Sequence, residues 1–103
     1  MSRVEREALS IERDGSALRL SGRLDIDSAP ALLEQALPML KRLERVELGG
    51  LSDIDSAGVA SLRLLQRWAT DAGSTLSLQQ PPPRFAAICA AHRLDPGEWA
   101  GRN

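Results

Sequence analysis

Apolar and polar residues alternate through Ala8-Leu9-Ser10-Ile11-Glu12 and again through Leu18-Arg19-Leu20-Ser21, with Asp14-Gly15-Ser16 between them. Period-two alternation on either side of a glycine-containing turn predicts a β-hairpin. Asp27-Ser28-Ala29-Pro30 then reads as a helix start. Asp27 or Ser28 can accept a free backbone N–H there, and proline is tolerated in a first turn. Leu33, Leu37 and Leu40 recur at helical spacing and predict a helix to the neighbourhood of Arg42, which Pro38 should bend or divide. Arg45-Val46-Glu47-Leu48 is strand-like and is followed by Gly49-Gly50, which predicts a strand end opening into a loop. The clearest helix spans residues 57 to 72, with Gly73 as its stop. Thr75-Leu76-Ser77-Leu78 reads as a further strand, and Pro81-Pro82-Pro83 blocks its extension. The last of those prolines can open a final helix that carries Phe85, Ile88 and His92 on one side.

The predicted order is β-β-α-β-α-β-α. Strands that alternate with helices need crossover connections, so the expected fold is α/β, a mixed four-stranded sheet with helices largely covering one face. At 103 residues the chain is expected to form a single domain, with its core over residues 8–94 and a short irregular tail over 95–103.

Charge narrows the function classes. The 13 Lys plus Arg against 14 Asp plus Glu leave a net charge of −1, so no broad positive field is available to gather nucleic acid or an anionic membrane. The amino-terminal stretch Met1-Ser2-Arg3-Val4-Glu5-Arg6-Glu7 has no apolar segment, and no later run approaches the roughly 20 apolar residues of a membrane span. The expectation is a cytoplasmic protein without direct membrane insertion, peripheral to an inner membrane only through a partner. The single cysteine, Cys89, sits in an apolar run and is expected to act as a small buried hydrophobe. Lys41, Arg42 and Arg45 form a basic cluster best explained as cations complementing the end of the first helix.

The chemistry concentrates in Asp53-Ile54-Asp55-Ser56-Ala57-Gly58. A helix start leaves four N–H groups without internal partners and carries a partial positive charge, and Asp55 and Ser56 stand at that point. One of them can be an ordinary N-cap. A phosphorylated Ser56 would also suit the free donors, although Asp53 and Asp55 would repel it. Gly58 implies a close approach, either of the helix to the sheet or of a partner to the helix. Gly58, Leu62, Leu65, Ala69 and Ala72 share one side of the helix and form the expected core face. Ala57, Ser61, Leu64 and Trp68 form an adjacent stripe expected to be partly exposed, with Trp68 as a docking anchor or as packing against the first helix. An enzyme is not expected, and no cofactor or metal is either. His92 is the only base available to a nucleophilic Ser56, and the chain has no phosphate-binding glycine loop, no metal-ligand spacing and no nucleophile elbow.

Leu20-Ser21-Gly22-Arg23-Leu24-Asp25-Ile26-Asp27-Ser28-Ala29-Pro30-Ala31-Leu32, followed by Val46-Glu47-Leu48 and Ile54-Asp55-Ser56-Ala57-Gly58-Val59, resembles the STAS family of sulfate transporters and anti-sigma factor antagonists. The resemblance implies a functional serine at Ser56. In antagonists that residue is phosphorylated by an anti-sigma factor kinase, and in STAS subunits of the Mla phospholipid ABC transporter the same surface docks on a cytosolic ATPase subunit. Antagonists commonly carry another serine or threonine where Ala57 stands, and they extend further than the short tail found here, so the resemblance is nearer the transporter branch. It implies a partner surface of Asp53, Asp55, Ser56, Ala57, Gly58, Ser61, Leu64 and Trp68. The partner would be an ABC ATPase and, through it, a membrane permease, with an anti-sigma factor kinase as the alternative.

Overall fold

The computed structural model describes residues 8–91. The expected positions of His92 and of the tail over 95–103 lie outside them. Strands β1 (Ser10–Asp14), β2 (Ala17–Leu24), β3 (Arg45–Ile54) and β4 (Ser77–Gln79) form one sheet in the order β1-β2-β3-β4. β1 and β2 are antiparallel, whereas β2–β3 and β3–β4 are parallel. Among the described residues three α-helices supply the crossovers and the packing: α1 (Ala29–Ala36), α2 (Ser56–Asp71) and α3 (Pro83–Ala91).

Side chains alternate across the sheet. Leu18, Leu20, Leu24, Val46, Leu48 and Leu78 face the helices and are buried with Leu32, Leu62, Leu65 and Phe85. The opposite face carries charge. Glu47 accepts from Arg19 Nε at 3.1 Å and Arg45 Nε at 3.3 Å, and Arg19 also reaches Asp14 at 2.6 Å. These bonds, from Arg45 first and then Arg19, hold the Glu47 carboxyl below its ordinary range. A ladder of alternating charge keeps this face wet, and among the described residues no helix covers it.

Two expectations need correction. No loop follows Gly49-Gly50: β3 runs on to Ile54. Its register against β2 slips between Arg19 and Ser21 and again between Gly22 and Arg23, each time placing one extra β3 residue in the ladder. The slips move the buried positions from Val46 and Leu48 to Leu51 and Ile54, a three-residue step where a regular strand repeats every two. Glycine suits this segment because a Cβ at Gly50 would lie 2.8 Å from the Leu20 carbonyl oxygen. The first helix is divided at Pro38 as expected, but its α-helical part stops well short of Arg42. It ends at Ala36 and passes into a 3₁₀ turn at Leu37–Met39, since Pro38 removes a donor and its ring opposes a further α-turn. Pro83 opens α3 as expected, and Cys89 is buried.

Candidate functional site

The carboxyl ends of β2 and β3 and the amino ends of α1 and α2 converge at one end of the molecule. Asp55 joins them. It is the N-cap of α2, accepting the Gly58 N–H at 2.8 Å through Oδ1, while its Oδ2 accepts the Ile26 N–H at 3.3 Å. Its own N–H donates to the Leu24 carbonyl at 3.2 Å. One side chain therefore satisfies a helix end and pins the β2–α1 connection.

That connection has its own brace. Asp25 Oδ1 accepts the backbone N–H groups of Asp27 and Ser28, both at 3.1 Å. Ser28 Oγ accepts the Asp25 N–H at 3.0 Å and donates to the Arg23 carbonyl at 2.9 Å. The start of α1 is thus organised by Asp25; Ser28 occupies the N-cap position without capping the helix through its side chain. Beside it, Asp53 accepts from Arg84 at the start of α3 at 3.1 Å, and Arg23 lies 3.6 Å from Asp25. Arg23, Asp25, Asp53 and Asp55 line a cleft of about 260 Å³.

The structure divides the expected partner residues. Ser56 is exposed at the first position of α2, and Asp53, Asp55 and Ala57 are exposed or half-buried around it. Gly58 is buried, and its close approach is internal: a Cβ there would collide with the Leu24 carbonyl oxygen and lie 2.8 Å from Ile54 Cγ1. Ser61, placed by its spacing on a partly exposed stripe, is buried at 4 % exposure, with its hydroxyl donating to the Gly58 carbonyl at 2.7 Å. Neither offers a direct contact to a partner. Leu64 is half-buried, and Trp68 is half-buried and packed against the core, on the side of α2 away from Gln66, which bonds the Leu76 carbonyl near β4. The core face of α2 is wider than its glycine-leucine stripe, because it takes in Val59 and Ser61, while Ala72 lies at its margin. Ile26, absent from the expected set, stands at the site 70 % exposed.

Asp55→Ala is expected to lower stability by about 1 kcal/mol, the usual contribution of an N-cap. The amide resonances of Ile26 and Gly58 should shift together in NMR spectra, because one carboxylate holds both. Movement at Gly58 alone would show that the bond to Ile26 has no structural weight.

A mixed sheet with helices packed on it, and a serine opening the helix after its third strand, define a small α/β domain. The chain belongs to the STAS family: the family model described as "Mlab, STAS domain" matches residues 7–96. Among solved structures it is similar to the anti-sigma factor antagonist SpoIIAA in its unphosphorylated form, at 20 % identity and a TM-score of 0.68 over 90 % of this chain and 85 % of that one. It is also similar to a crystal structure of Mglu, at 20 % identity and a TM-score of 0.56 over 72 % of this chain. The murine Slc26a9 anion transporter in its inward-facing state matches at 10 % identity and a TM-score of 0.58 over 78 % of this chain. The matched region is 20 % and 14 % of those two longer chains, respectively. These likenesses show a shared fold. A comparison with curated proteins gives no match.

Proposed function

We propose that this chain is a single, non-catalytic STAS domain that docks on the cytosolic ATPase subunit of an Mla-type phospholipid ABC transporter and stabilises or regulates it. The observation that carries this reading is the family match across residues 7–96, whose description names Mlab. The site geometry supports it. An exposed Ser56 at the start of a helix that Asp55 caps through the Gly58 N–H, beside half-buried Ala57, offers a firm surface suited to a protein partner. Among the described residues no helix is long and apolar enough to cross a membrane. A role at the inner membrane would then run through the ATPase and its permease.

The phosphoswitch alternative, with Ser56 as phosphoacceptor for an anti-sigma factor kinase, meets an obstacle in the same geometry. The Gly58 N–H that could greet a phosphate is already bonded to Asp55, and both Asp55 and Asp53 would repel it.

Affinity capture of the tagged protein from native cytosol and solubilised membranes, beside Ser56→Asp, tests the reading. Wild type should bring down an ABC ATPase with its permease. The added carboxylate should reduce recovery at least about tenfold, the factor corresponding to 1.4 kcal/mol. Recovery of a soluble kinase-like protein without the ATPase would make the antagonist the correct reading.

A further inference from the structure

A single exposed isoleucine is ordinary on a protein surface. Ile26 differs in how it is held. Its N–H is fixed by Asp55, the residues on either side are tied down through Asp25, and Ser28 closes the turn onto Arg23. An apolar side chain on a braced loop loses little conformational freedom on binding, which is the condition under which a contact contributes most to affinity. It gives little to the core: at 70 % exposure it is the most open large apolar side chain among the described residues.

Its surroundings specify the partner's chemistry. Asp25 and Asp27 flank it in sequence, Asp55 bonds its backbone, and Asp53 shares the cleft with Asp25 and Asp55. Arg23 and Arg84 answer only part of this charge, through pairs with Asp25 and Asp53. We infer that Ile26 is the apolar anchor of the docking surface, received by the ATPase in an apolar pocket rimmed with lysine or arginine side chains. This rests on the proposed docking role and adds to it the residue that seats the complex and the charge of the surface opposite. The carboxylates steer the encounter, and the isoleucine, once desolvated, slows dissociation.

The test measures binding of the purified wild type and of Ile26→Ala, Ile26→Asp and Ile26→Met to the ABC ATPase recovered with the wild-type protein, alongside thermal melts of each free variant. Ile26→Ala should weaken binding about tenfold and Ile26→Asp more than about 100-fold, while Ile26→Met stays close to wild type. All three should melt with the parent, because the side chain is outside the core. Raising salt from roughly 0.1 to 0.5 M should weaken the wild-type complex by screening the carboxylates. Full affinity in Ile26→Asp would overturn the anchor and leave the docking role standing, and salt-independent binding would overturn the basic rim. A wild-type protein that binds no ABC ATPase would overturn the docking role and this inference with it.

Discussion

Gly58→Ala should melt well below the parent protein, even though alanine is the better helix former. In an open helical position this exchange would gain up to about 1 kcal/mol. At Gly58 the added methyl meets the Leu24 carbonyl oxygen and Ile54 Cγ1, one of them backbone at the end of a central strand and the other a buried core side chain. Neither yields without moving β2 or β3 away from α2. Overpacking of this kind costs about 1–3 kcal/mol and occasionally more. A net loss of about 2 kcal/mol would lower the melting temperature by roughly 8–16 °C in a domain of this size. The displaced start of α2 would also carry Ser56 out of position, so partner capture should weaken in proportion. Ala60→Gly, at an exposed position in the same turn, is the matched control and should cost only about 1 kcal/mol. A Gly58→Ala protein that melts above the parent would show that α2 has room to withdraw.

Phe85→Ala should be more damaging still. Helix α3 is short and buries only Phe85 and Cys89, with Ile88 packed at the margin. Phe85 is fully buried and is the largest such side chain described. Truncating a phenylalanine in a core costs about 3–5 kcal/mol, a large share of the roughly 5–15 kcal/mol that holds a domain together. The denaturation midpoint should fall accordingly, and the amides of α3 should lose hydrogen-exchange protection before those of α2. Phe85→Leu should cost less because it leaves a smaller void. A loss below about 1 kcal/mol for Phe85→Ala would mean that α3 is held by something other than its aromatic anchor.

The order of elements was legible because each has a local signature: alternation about Gly15 for the hairpin, Pro30 and Pro83 in helical first turns, and Gly73 just beyond the end of α2. The hidden part was the second half of β3. Gly49-Gly50 has the composition of a loop, and only pairing with β2 shows that these residues continue the strand through two extra positions. The site was partly legible for the same reason. An N-cap is a local matter, so Asp55 or Ser56 could be placed from sequence, and Asp55 takes the role. The second bond of Asp55, to Ile26 across 29 positions, depends on how two crossovers meet and leaves no trace in local spacing. Ser61 misled because periodicity sorts residues by angle. Its burial depends on how far the neighbouring elements reach around α2, and its hydroxyl is satisfied within the helix itself. The signal for Ile26 was present but quiet: one aliphatic residue between two aspartates, just ahead of a proline-marked helix.

Helix α2 runs from Ser56 beside that site to Asp71, and its cap, Ala72, lines a groove of about 520 Å³ with Leu37, Lys41 and Arg42 at the opposite end. Sixteen residues of α-helix span about 24 Å. That is roughly three Debye lengths at physiological ionic strength, near 8 Å each. A charge placed on Ser56 is therefore muffled by salt long before it reaches Lys41 and Arg42. The two ends of α2 are therefore electrically separate surfaces, and any influence of one on the other would have to pass through displacement of the helix.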